Sequence, residues 1–145
     1  MKKLRLLGSL LILFLTSCDP YRGAFIANSS EEKIIVNIKY NKQNEEIKSY
    51  KQIHNGFENF VNFIQEYNCS KGNLIAIDST NFIATFELNQ RDTLEIWGGI
   101  RQSNDFEEIE EVNIYPNKIK KTIKGVDIHN IFFERNQGFY IYTIK

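Results

Sequence analysis

From Lys33 to Tyr40 the chain reads Lys-Ile-Ile-Val-Asn-Ile-Lys-Tyr, which puts Ile34, Val36, Ile38 and Tyr40 on one face of an extended segment and Ile35, Asn37 and Lys39 on the other. A period of two marks a strand that buries one face and leaves the other wet. The pattern recurs. Phe82, Ala84, Phe86 and Leu88 alternate with Ile83, Thr85 and Glu87, and after the polar run Asn89-Gln90-Arg91-Asp92, Leu94 and Ile96 alternate with Thr93, Glu95 and Trp97. Residues 126–133 and 139–144 are rich in β-branched and aromatic side chains and flank the polar stretch Glu134-Arg135-Asn136-Gln137-Gly138.

Three hairpins are expected from these runs: 21–27 with 33–40 across the turn at 28–32, 82–88 with 93–97, and 126–133 with 139–144. Leu74 to Ile77 is a short apolar run that suits a central strand. One segment departs from the period: Phe57, Phe60, Val61, Phe63, Ile64 and Tyr67 recur at spacings of three and four, with Asn55 and Glu58 placed as an N-cap and its N3 partner, so 56–67 reads as a helix. The sum is a mainly β chain, an antiparallel β-sandwich of seven or eight strands with one short helix near 56–67, with a small barrel as the alternative.

The N-terminus has a different logic. Lys2, Lys3 and Arg5 form a cationic start, and residues 6–15 are apolar apart from Gly8 and Ser9. About ten residues at 1.5 Å each cover roughly half of a ~30 Å hydrocarbon core, which suits a secretory signal and not a membrane span. The run ends in Leu15-Thr16-Ser17-Cys18, which resembles the lipobox of bacterial lipoproteins processed by signal peptidase II. That resemblance implies residues 1–17 as a signal peptide, a diacylglycerol (palmitate-type) lipid anchor on Cys18, and 18–145 as a single mature domain on a cell-envelope membrane. The expected address is the outer membrane, facing the periplasm or the cell surface. Two or three acyl chains at about 0.8 kcal/mol per buried methylene hold a protein on a bilayer almost permanently. Cys18-Asp19-Pro20-Tyr21 leading into Phe25-Ile26-Ala27-Asn28-Ser29-Ser30, in a chain rich in Ile, Asn, Lys, Phe and Tyr, is similar to small lipoproteins of Bacteroidota.

Loss of residues 1–17 leaves 128 residues, the length of one domain able to bury roughly two thirds of its unfolded surface. With Lys2, Lys3 and Arg5 removed, 15 basic residues stand against 18 acidic ones, which argues against nucleic acid as a partner. The only cysteines are Cys18 and Cys69, so a lipid on Cys18 leaves no disulfide framework, and Cys69 reads as a small buried residue.

Catalytic chemistry is sparse. His54 and His129 are far apart and in no zinc spacing, and the chain has no C-x-x-C, G-x-S-x-G or phosphate-binding glycine loop. Cys69 with His129 and a carboxylate is the one nucleophile arrangement available. Asp105, Glu107, Glu108, Glu110 and Glu111 lack the order and central glycine of a calcium loop. Lys118, Lys120, Lys121 and Lys124 follow across Tyr115-Pro116-Asn117, so mutual charge pairing accounts for both clusters. Trp97, Gly98, Gly99 and Arg101 read either as the wall of a small pocket or as a strand end with a tight turn. Asp78-Ser79-Thr80 and Asp92-Thr93-Leu94 resemble the O-glycosylation motif of Bacteroidota envelope proteins, with at most one expected to be used. The expected sites are therefore lipidation at Cys18 and no catalytic, cofactor or metal residues. The expected role is a lipid-anchored binding or structural accessory module that meets a protein or glycan. A small envelope hydrolase, and an inhibitor or immunity lipoprotein, are the competing classes.

Overall fold

The computed structural model describes residues 21–45, 47, 60, 61, 64, 72–100, 106–116, 119–136 and 138–145. Residues 1–20 with Cys18, and His54, Cys69, Arg101, Asp105 and Lys118, lie outside the described residues. The described chain is mainly strand: β1 (Tyr21–Asn28), β2 (Ile34–Tyr40), β3 (Asn73–Asp78), β4 (Ile83–Leu88), β5 (Thr93–Ile100), β6 (Ile109–Tyr115), β7 (Lys121–Lys124), β8 (Phe133–Asn136) and β9 (Phe139–Ile144). A 3-10 turn, Gly125–Asp127, leads into the one-turn helix α1 (Ile128–Ile131).

The strands form two sheets, a four-stranded one in the order β5-β1-β9-β8 and a five-stranded one in the order β3-β4-β2-β6-β7. The β-sandwich read from the alternation is the fold. Its inner faces supply the core, where Ile26, Leu94 and Ile144 of the first sheet meet Val36, Ile38, Phe86, Val112 and Ile123 of the second. Each such side chain contributes about 1.5–3 kcal/mol by leaving water. The helix expected near 56–67 is present where that stretch is described: Phe60, Val61 and Ile64 are helical, and the Phe60 ring lies 5.6 Å from Tyr40 and 4.8 Å from Phe82. The spacing of three and four is thus what lets Phe60 and Ile64 both reach the core.

Strand pairing departs from the sequence reading in four places. β1 and β2 do not pair; residues 29–33 carry the chain from one sheet to the other. β4 and β5 likewise belong to different sheets. The Asn89–Asp92 turn between them bonds to β1, with Arg91 N donating to Asn28 O at 2.8 Å and Asn28 N donating to Asp92 O at 3.0 Å. Strands in one sheet are about 4.8 Å apart and packed sheets about 10 Å apart, and a polar link of four or five residues spans either gap. β3 is an edge strand, not a central one; a register shift between Leu74 and Ala76 leaves Ile75 half in solvent. Finally, the C-terminal hairpin exists as β8 and β9, but 126–132 is turn and helix, because Ile128 and Phe132, four residues apart, are both buried. One pairing is parallel, β1 with β9, so the sandwich is antiparallel apart from that pair.

Candidate functional site

The two sheets have outer faces of different character, and the four-stranded one carries a groove of about 580 Å³. Its position follows from register. Alternation on β1 sends Ala24 and Ile26 inward and Phe25 and Ala27 outward. β9 runs parallel beside it with Gly23 opposite Phe139 and Phe25 opposite Ile141, so Phe139, Ile141 and Thr143 share the outer face. β5 adds Thr93 on one side, and β8 adds Arg135 and Asn136 on the other. Phe133, opposite Ile141, is the most exposed large apolar side chain described, at 73%.

The floor is aromatic. The rings of Phe25 and Phe139 are nearly parallel, 9° apart, with centroids separated by 6.0 Å, and Tyr21 continues the row at 6.0 Å from Phe139. Two glycines facing each other across the ladder, Gly23 and Gly98, make this possible. A Cβ on Gly23 would stand 3.0 Å from the Phe25 ring, which leans back over it. A Cβ on Gly98 would collide with the Tyr21 hydroxyl and the Glu95 carboxylate, and the Tyr21 O–H donates to Glu95 Oε1 across that same bare backbone. Although Glu95 accepts this bond, its burial in the aromatic face pushes the carboxyl above the ordinary glutamate range.

The residues singled out in the sequence are placed elsewhere. Trp97 is turned into the core beside a register shift between Ala24 and Phe25, and β5 runs on through Gly98 and Gly99 to end at Ile100, while Arg101, the other half of the pocket reading, lies outside the described residues. His129 lies between aromatic rings, 5.2 Å from Phe106 and 5.3 Å from Tyr140. Its proposed partner Cys69, and His54, lie outside the described residues. The acidic run is dispersed: Glu108 is buried, Glu110 pairs with Lys39, and Glu111 accepts from Asn113 Nδ2 at 2.7 Å while standing opposite Lys124 across the β6–β7 pair. Lys121 Nζ lies 4.6 Å from the Tyr142 ring centroid and bonds its hydroxyl. Among the described residues no three His, Cys, Asp or Glu side chains converge as metal ligands.

Both glycosylation-like triplets have structural work. Asp78 Oδ1 accepts from Thr80 N and Asn81 N, each at 3.0 Å, closing the β3–β4 turn. Asp92 Oδ2 accepts from Asn89 N at 2.8 Å, and Thr93 is the first residue of β5 and lines the groove. Among the described residues, no helix is long and apolar enough to cross a membrane. No protein-family model matches the chain, and no curated protein matches its sequence.

The groove was not legible beforehand because its two glycines are 75 residues apart in sequence and mean something only once β1 and β5 are paired. Phe25, Phe139 and Ile141 did stand at period-two positions facing away from the core. Outward aromatic residues at such positions were the available signal.

Proposed function

We propose that this chain is a lipid-anchored protein of the bacterial envelope whose β-sandwich binds a glycan on the outer face of its four-stranded sheet. The anchor rests on Leu15-Thr16-Ser17-Cys18 behind a short apolar run. The binding role rests on one observation, the row of Phe25, Phe139 and Tyr21 rings on a face that water would otherwise cover. A sugar ring has an apolar C–H face and a hydroxyl rim. Near-parallel aromatic rings suit the first, and the Thr93 and Thr143 hydroxyls, the Asn136 amide and the Arg135 guanidinium around them suit the second. The volume falls within the ~300–1,000 Å³ of small-ligand sites.

A peptide added to the sheet edge is the poorer fit. The β8 edge beside the groove is four residues long and its register breaks between Glu134 and Asn136, which interrupts the row of backbone groups that an added strand needs.

The test uses full-length protein purified from a bacterial host in detergent. Intact mass, with and without globomycin and beside Cys18→Ala, reads the anchor; a species beginning at Cys18 and heavier by two or three acyl chains is expected. The same protein is then presented to an array of neutral and acidic oligosaccharides and to purified peptidoglycan. Retention by a saccharide, weakened at least tenfold by Phe139→Ala, supports the reading. No retained saccharide, or equal retention by the variant, overturns it, and a stoichiometric protein captured through the same face would replace the glycan by a protein.

A further inference from the structure

The start of β1 defines one end of the sandwich, and the topology says what else is there. Tyr21 is opposite Ile100, Gly23 is opposite Phe139, and Ala24 is opposite Tyr140. β2 returns through the link at 29–33, so Tyr40 and its partner Ile109 lie at this same end of the second sheet. The turn-and-helix segment packs here too: the backbone at Gly125 abuts the carbonyls of Ile109 and Phe106, and His129 sits between Phe106 and Tyr140. The first turn of that segment exposes Val126 at 67%.

Single exposed apolar residues are ordinary on soluble domains. Here Val126 stands at the end from which the chain runs back to Cys18, and Tyr21 is only three residues from that cysteine. Three extended residues reach about 10–11 Å, less than the width of the domain, so a lipid on Cys18 brings this end and no other to the membrane surface. Aliphatic side chains gain by leaving water at the interface between headgroups and acyl chains.

We propose that the sandwich is seated on the bilayer through this end, with Val126 against the lipid surface and the groove on the outer face of the four-stranded sheet turned sideways. The seat depends on acylation of Cys18 and not on what the groove binds. The opposite end supplies an internal control, since Ile119, in the turn between β6 and β7, is 70% exposed and therefore as apolar and as open as Val126.

Full-length acylated protein is reconstituted in vesicles of phosphatidylethanolamine and phosphatidylglycerol. In a Cys69→Ser background, Val126→Cys and Ile119→Cys are each labelled with an environment-sensitive fluorophore and quenched by brominated lipid. The label at 126 is expected to be quenched at least twofold more strongly than the label at 119, and to emit at shorter wavelength. Equal quenching of the two labels on protein of verified acylated mass overturns the seat while leaving the anchor intact. A mass without acyl chains overturns both, and because the positions are exposed, unchanged circular dichroism separates either outcome from unfolding.

Discussion

The two sheets alternate in the same way and bury comparable inner faces, yet their outer faces follow different rules. On the five-stranded sheet the outward positions are joined by cross-strand polar contacts. Lys33 pairs with Glu87 at 2.9 Å, Lys39 pairs with Glu110, and Thr122 Oγ1 donates to Asn113 Oδ1 at 2.7 Å. That is how a solvated face satisfies itself. On the four-stranded sheet the corresponding positions hold Phe25, Phe139 and Ile141 above a pair of glycines. A core needs only one apolar face per sheet, so the second one is available for recognition.

The strongest way to break the comparison is at the joint between the sheets. Asn28 ends β1 at 1% exposure, and its amide Nδ2 donates to Glu32 O at 2.8 Å and to Leu88 O and Asn89 O at 3.1 Å, while Oδ1 accepts from Ser30 N and Oγ. It thus ties the last residue of β1 to the end of β4 in the other sheet. Asn28→Ala leaves buried carbonyls without their donor and is expected to cost about 2–4 kcal/mol, read as a fall in Tm on the order of 10 °C. A loss below about 1 kcal/mol would mean that the sheets are held by apolar packing alone.

Next comes a double dissociation. Phe139→Ala removes a ring from the outer face and is expected to weaken saccharide binding at least tenfold, about 1.4 kcal/mol or more, at a smaller cost to unfolding free energy. Lys39→Ala on the opposite outer face is expected to leave that binding unchanged. Equal losses for both variants in a titration with the same oligosaccharide would show that the faces are not distinct.

The contrast also explains what could be read in the sequence. Side-chain period and apolar runs located seven of the strands at least in part, since they depend only on which positions meet the core, as Ile34, Val36 and Ile38 do, whereas the start of β6 was hidden in the acidic run that ends at Glu111. β7, with Ile123 as its only buried residue, is too short to show a period. Partnership was illegible, because a polar link such as 89–92 serves a hairpin and a sheet-to-sheet crossing equally well; what decides here is Arg91, at φ 65°, donating to Asn28. Residues 126–132 misled through composition, as Val126, Ile128 and Ile131 are strand formers held in a turn and a helix by the burial of Ile128 and Phe132. The aromatic face was half legible: its rings stood at outward positions, whereas Gly23 and Gly98 acquire their role only from the β1–β5 register.

Titration sharpens the contrast with opposite signs on the two sheets. Burial holds Glu95 above the ordinary range, so the folded chain keeps this proton more readily than the unfolded one. Its contribution to stability is therefore complete below the unfolded pKa and is lost as pH rises through the folded one. Asp78, exposed in the β3–β4 turn, is held below its ordinary range by hydrogen bonds from the Asn81 side chain and backbone, and its contribution is lost as pH falls through the folded pKa. Glu95→Gln retains an acceptor for Tyr21 and carries no charge. Its Tm should gain on the parent's as pH rises above the ordinary glutamate range, where the parent must ionise a buried carboxyl. A gap that stays constant as pH rises would mean that Glu95 is solvated and the aromatic face wetter than its rings imply.

The smallest effect belongs to the polar face. Lys33 and Glu87 make a direct ion pair, but the lysine side chain is 65% exposed, so attraction across 2.9 Å is screened by water and offset by the rotamer freedom that the lysine loses in holding it. Lys33→Ala is expected to change unfolding free energy by less than about 0.5 kcal/mol in a urea titration, and by less still at high salt. A larger, salt-sensitive loss would mean that the outer face of the five-stranded sheet stores stability in its charges. The two faces would then differ in how they hold the fold as well as in what they meet outside it.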